Sequence, residues 1–356
     1  MNDTTTIETT RDRAPRWPYA LAVGLLVTGL LVLLFWPVKL PYFAMSPGPV
    51  EAVTDLVTVS DVETFESEGE FYLLTVGLRE VNAFEWFEAQ FLDERVDLVA
   101  REVIRPPGVS QEEQTRSNLA AMDESIDTAV FVALGHLGYD VGFVGEGVEV
   151  LQVVEDTPAD GVLEVGDRFM TVAGVEVQTS DQAAGVIRSF GVGDTITLVG
   201  TRGGEPFDVD ITLMAHPDLE GAPMVGVVFD TVNLALDLPV DVDVDSRNIG
   251  GPSAGMTYAL TLIDLLTPED LTRGHVLAGT GTIRFDETVG AVGGIRQKVF
   301  AARAVGAEIV FVPSANYEDA LTAMGDGIEI VPVATLQEAL DHLAELESVS
   351  LVAAAG

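Results

Sequence analysis

The chain has 356 residues and no cysteine, and it carries 57 acidic against 18 basic side chains, a formal net charge of −39. Such acidity repels nucleic acid, whose binding rests on phosphate neutralisation by lysine and arginine, and the lack of cysteine excludes a disulfide framework, thiolate zinc and a cysteine nucleophile. A hydrophobic content of 47% excludes disorder as the reason for the acidity. At roughly 100–200 residues per domain the length predicts two or three domains. Sixteen of the 18 cations are arginine, and the two lysines are Lys39 and Lys298.

Residues 19–36, YALAVGLLVTGLLVLLFW, hold no charge over 18 positions. At 1.5 Å per residue they span roughly 27 Å, close to the hydrocarbon core of a bilayer. Trp17, Tyr19 and Trp36 mark the ends, where amphipathic rings favour the interface. The run exceeds the roughly 7–15 apolar residues of a signal peptide, and no small-x-small cleavage site follows in 37–45, so it reads as an anchor over 17–38 rather than a cleaved leader. Arg11, Arg13 and Arg16 precede it and Lys39 alone follows. That bias predicts a single-pass protein of the cell membrane, with a cytoplasmic tail (1–16) and the rest outside.

Next comes a membrane-proximal α/β region, 39–136. Its Pro- and Gly-rich start (41–49) is a turn-rich exit, and 70–76 (EFYLLTV) predicts a strand. Asn82 precedes Phe84, Phe87 and Phe91, a spacing that predicts a short helix with the phenylalanines in the core. Ser110-Gln-Glu-Glu113 is a capping box that opens a helix to about 135.

From 137 to 216 the texture changes to short β-rich runs with Gly/Asp turns and one helical stretch, 180–190, which predicts a small, mostly antiparallel β domain. The runs Val153-Val-Glu-Asp-Thr-Pro-Ala159, Leu163-Glu-Val-Gly-Asp-Arg168 and Val172-Ala-Gly174 resemble the bacterial type of PDZ domain. The resemblance implies capture of peptides, C-termini among them, as an added strand. It places the terminus-binding loop near 138–144 and the groove-lining helix positions near Gln182–Val186. A structural spacer is the alternative.

Residues 225–346 read as mixed α+β: strands at 225–230, 240–244, 275–281, 308–312 and 328–332, a hairpin at 282–290, and helices at 254–266, 296–305, 316–324 and 335–346. Asp241, Asp243 and Asp245 alternate without a calcium-loop glutamate after them and read as a solvated strand face, so no metal or cofactor is predicted.

Within this region Asn248-Ile-Gly-Gly-Pro-Ser-Ala-Gly-Met256 sets a serine where a Gly-Gly-Pro turn hands over to an apolar helix. A hydroxyl there lies over free backbone N–H groups, which favour an anion or oxyanion. No G-x-x-x-x-G-K-[ST] phosphate loop occurs, no S-x-x-K follows the serine, and none of the four histidines has a comparable setting. A serine is also activated by a neutral lysine. Outside the membrane-proximal segment the sole lysine is Lys298, in Gly293-Gly-Ile-Arg-Gln-Lys-Val299.

These stretches resemble the Lon-type serine-lysine peptidases, with the Pro-Ser-Ala-Gly run and, 45 residues on, the lysine. The resemblance implies Ser253 as nucleophile and Lys298 as general base. It also implies Thr280, in Ala278-Gly-Thr-Gly-Thr-Ile283, as a supporting hydroxyl, and Gly250 and Gly251 near the oxyanion. The order of anchor, PDZ domain and Lon-type domain resembles membrane-anchored PDZ-containing Lon-like proteases. An ATP-independent endopeptidase, with protein or peptide substrates and a homo-oligomeric ring, is what that family implies. ATP-driven members carry a Walker module, absent from these 356 residues, and many have an acidic residue where Gly250 stands. The competing reading is a catalytically silent PDZ scaffold. Arg247 and Arg296 flank the motifs and read as ion-paired surface arginines.

Overall fold

The computed structural model describes residues 17–217, 219 and 221–349. The expected tail, 1–16, with Arg11, Arg13 and Arg16, lies outside them. The chain begins with α1 (Trp17–Phe35), 19 residues without a charge. The side chains of 18, 20, 28 and 31–35 within it are not described, and among the described residues no helix is long and apolar enough to cross a membrane.

There follow β1 (Lys39–Ala52), β2 (Val57–Ser60), β3 (Glu70–Asn82), α2 (Ala83–Phe91), β4 (Asp97–Ala100), α3 (Arg101–Ile104) and α4 (Gln111–His136). Both capped helices begin where the sequence places them. Asn82 accepts from the N–H groups of Phe84 and Glu85, Ser110 accepts from that of Glu113, and each N3 glutamate returns the bond. The phenylalanines of α2, expected in the core, are instead exposed, at 60% for Phe84, 51% for Phe87 and 63% for Phe91. Their spacing makes one apolar face, left exposed among the described residues.

The next stretch runs β5 (Gly142–Val144), β6 (Val148–Val153), β7 (Arg168–Val172), β8 (Val175–Glu176), α5 (Ser180–Arg188), β9 (Thr195–Arg202) and β10 (Glu205–Thr212). Then come β11 (Met214–Ala215), β12 (Pro223–Met224), β13 (Val227–Thr231) and β14 (Ala235–Asp237). An antiparallel sheet of order β10-β9-β7-β6-β13 closes over its own core of Val148, Val150, Phe169, Ile187, Leu198 and Ile211. β13 pairs with β6, Val227 opposite Val153, so the strand expected in the C-terminal domain completes the PDZ-like unit and moves its end from 216 to about 231. The entering and leaving chains pair as the ribbon β5–β14.

The last stretch is β15 (Asp241–Val244), α6 (Gly255–Leu266), β16 (Val276–Gly279), β17 (Thr282–Ile283), β18 (Val289–Gly290) and α7 (Ile295–Ala304). It ends with β19 (Ile309–Pro313), α8 (Tyr317–Leu321), β20 (Glu329–Val333) and α9 (Leu336–Glu345). The main sheet has the order β20-β19-β16-β3-β1-β4, parallel from β20 to β3 and antiparallel beyond. It draws β1, β3 and β4 from one side of the PDZ-like unit and β16, β19 and β20 from the other. The separate 39–136 region expected from sequence therefore shares one sheet with β16, β19 and β20, and the PDZ-like unit is inserted between the two halves. Side chains alternate across the sheet. Phe71, Leu277 and Phe311 meet α4, α6 and α9, whereas Leu74, Ala278, Val310 and Val312 meet α7 and α8. Burying each large apolar side chain contributes about 1.5–3 kcal/mol, so the two halves stabilise each other. The whole is mixed α+β.

Candidate active site

The Gly-Gly-Pro turn and Ser253 lead into α6, whose N-cap, Ala254, has no side-chain cap. Gly251 takes φ 95°, a left-handed conformation that a β-carbon disfavours. It donates its N–H to the Asn118 carbonyl at 2.7 Å. Ser125, on the buried face of α4, donates to the Pro252 carbonyl at 3.0 Å. Behind the serine, Gly281 N–H and Thr280 Oγ1 both donate to the Ser253 carbonyl, at 2.9 and 3.0 Å. The nucleophile loop is thus held between α4 and the strand end after β16.

Lys298 stands on the fourth residue of α7 and is 2% exposed. Its Nζ lies 2.7 Å from Ser253 Oγ and 2.7 Å from Thr280 Oγ1. The Thr280 hydroxyl, fully buried, spends its one proton on the Ser253 carbonyl, so its oxygen accepts from Lys298. A neutral amine has two N–H donors and one lone pair; with one N–H on Thr280, the lone pair is free to face the serine hydroxyl. Burial supports the neutral form, pushing the Lys298 pKa from 10.5 down to about 7. Desolvation is the cause, with no opposite charge to offset it.

Ser253 is half-buried and opens onto a cavity of about 540 Å³, walled by Met45, Leu74, Ile104, Met122, Gly250 and Lys298. Of the two glycines expected at the oxyanion, Gly251 has given its N–H to Asn118. Among the described residues the N–H groups of Gly250 and Ser253 have no partner. Asn118 and Ser125 escaped the sequence reading. The available signal was Ser125 itself, in helical step with Met122, Ala129 and Val132 on the buried face of α4.

Arg247, which lines the cavity, pairs with Glu51, and Arg296 pairs with Asp97, both at 2.5 Å. Asp241 and Asp243 are exposed on β15. In the PDZ-like unit, 142–144 of the expected loop 138–144 forms the ribbon with β14. A cavity of about 340 Å³ lies between α5 and β13, lined by Ala184, Ile187, Met224, Val225 and Val228. Of the helix positions expected to line the groove, Ala184 lines this cavity, while Gln182, Gly185 and Val186 face another.

Two family matches accord with this arrangement. Residues 235–345 match the Lon protease (S16) C-terminal proteolytic domain and residues 127–213 a PDZ domain. The chain contains both domains. It is 32% identical over 121 residues to the Lon protease of Mesomycoplasma hyopneumoniae, covering 33% of this chain and 13% of that protein. With Lon protease 2 of Bacillus subtilis it shares 30% identity over 152 residues, covering 43% and 22%. The crystal structure of the PDZ domain of an SdrC-like protein from Listeria monocytogenes is 33% identical, covering 24% of this chain and 87% of that one, at a TM-score of 0.23. The chain thus spans only 13% and 22% of the length of these two Lon proteases. The matches support a serine peptidase.

Proposed function

We propose that the protein is an ATP-independent serine endopeptidase that cleaves polypeptides outside the cytoplasmic membrane, tethered by α1. The observation that carries the reading is the buried lysine, its Nζ 2.7 Å from Ser253 Oγ and its pKa lowered to about 7 by burial. A general base works best with a pKa near the operating pH. Neutral Lys298 takes the Ser253 proton as Oγ attacks the scissile carbonyl carbon. The oxyanion forms against the N–H groups of Gly250 and Ser253, and Thr280 keeps the amine aimed at the serine. The lysine ammonium then protonates the leaving amine, and water, deprotonated by the same lysine, hydrolyses the ester.

The sequence run 19–36, 18 residues without a charge between Trp17 and Lys39, supports the tether, and the arginines before it support a cytoplasmic N-terminus. The open edge of β13 beside α5 supports recruitment or gating by a peptide that adds as a strand there. Assembly into a homo-oligomeric ring follows the family analogy. The test is digestion of labelled casein by the purified full chain without ATP. Ser253→Ala and Lys298→Ala should each lose on the order of 10³-fold or more. Full activity in either folded variant rejects the dyad.

A further inference from the structure

The exposed face of α2 has a place in the molecule that its spacing alone does not reveal. Phe84, Phe87 and Phe91 recur on one side of the helix, and Leu92 extends the patch at 72% exposure. Phe87 and Phe91 pack ring to ring at 4.9 Å, so the patch is contiguous. Phe84 in turn stacks on Trp36, the aromatic residue just past the end of α1, with centroids 5.9 Å apart and planes 27° apart. Trp36, directly after α1, is thus joined to the exposed face of α2 through a ring of the kind that marks a bilayer interface.

Two acidic side chains near the patch are paired locally although the chain as a whole is at −39. Glu85 is held by Lys39 at 3.3 Å and Arg79 at 2.7 Å, and Glu80 by Arg105 at 2.6 Å. Glu88 flanks the stripe, which suits the headgroup zone better than the hydrocarbon.

We propose that α2 lies in the outer headgroup interface of the same bilayer that α1 enters, its Phe84–Phe87–Phe91 face inserted as a second foot. The inference rests on the tether proposed above. It gives the catalytic domain a fixed orientation that one flexible anchor does not. From Lys39 to Met45, at the cavity wall, β1 runs six residues, about 20 Å at ~3.3 Å each. Ser253 is then held close to the membrane surface, and its substrates are unstructured chain segments near that surface.

The cysteine-free chain allows single spin labels. Phe87→Cys, Val38→Cys and Val165→Cys are each labelled with a nitroxide in the full chain, reconstituted in phosphatidylcholine nanodiscs. Collisions with oxygen report lipid and those with a nickel chelate report water. The expected result is lipid-like exposure at 87 and 38, aqueous exposure at 165, and loss of the lipid signal at 87 on adding Phe84→Ser and Phe91→Ser. An aqueous signal at 87 with a lipid-like one at 38 overturns the second foot and leaves the tether standing. An aqueous signal at 38 overturns both. A label at 87 shielded from both reagents, with spin–spin broadening, assigns the face to a second copy and also overturns the proposal.

Discussion

The Asn118 carbonyl accepts the Gly251 N–H at 2.7 Å, tying the serine's loop to a helix that precedes the PDZ-like unit in the chain. Ser125, two turns further along that helix, holds the Pro252 carbonyl. The nucleophile is thus positioned by residues outside the 235–345 match, across a domain inserted between them.

Ser125→Ala should leave the Pro252 carbonyl without its donor, lowering stability by about 0.5–1.5 kcal/mol, the net worth of one hydrogen bond. It should also reduce kcat more than it raises KM, since the loop it steadies carries the nucleophile. Urea unfolding and casein kinetics measure the two effects; an unchanged kcat would free the loop from α4.

Thr280→Val removes both the acceptor for the lysine N–H and the donor to the Ser253 carbonyl. We expect a kcat loss of roughly 10²-fold, within the range that a positioned acid–base group contributes. Thr280→Ser should restore most of it. Equal activity in the valine and serine variants would show that the hydroxyl does not orient the lysine.

Activity should rise with pH through about 7, as Lys298 loses its proton, and Lys298→Arg should be inactive throughout because arginine keeps its charge. Stability follows the same group. Between about 7 and the ordinary 10.5 the unfolded chain binds a proton that the folded chain does not, so raising the pH favours folding over that window. Unfolding of Lys298→Met should lack this gain, and an identical pH dependence in wild type and variant would contradict it.

In the PDZ-like unit Asp167 is 1% exposed. Burial alone would raise its carboxyl, but two hydrogen bonds from Arg202, at 2.7 Å each, and one from the Glu164 N–H hold its pKa below the usual value. A depressed carboxylate pKa stabilises the fold above the unfolded value, an effect lost on acidification through the folded one. Arg202→Ala should lower the melting temperature at pH 7 and reduce its dependence on acid, as differential scanning calorimetry would record. A variant that melts like wild type at pH 7 would remove the ion pair from the account.

Local chemistry was legible in the sequence. The caps at Asn82 and Ser110 act over three residues, and the motifs around Ser253, Thr280 and Lys298 specify turns and helix starts that the structure brings together. Long-range pairing was not legible. Glu70–Leu73 of β3 aligns with Val276–Gly279 of β16 across some two hundred residues, and no local pattern in EFYLLTV names that partner. Val227–Thr231 could have joined either domain, and its pairing with β6 decided the matter. The Phe84–Phe87–Phe91 stripe announced an apolar face, but periodicity says only that a face exists and nothing of what covers it.

The claim that Ser253 faces a neutral amine is tested most directly on the lysine itself. The chain has two lysines, so Lys39→Arg leaves Lys298 as the only one, and lysine labelled with ¹³C at Cε then gives a single resonance. The account predicts that this resonance titrates near pH 7 and that Ser253→Ala leaves it buried and far below the ordinary range. Titration near the ordinary 10.5 would contradict it.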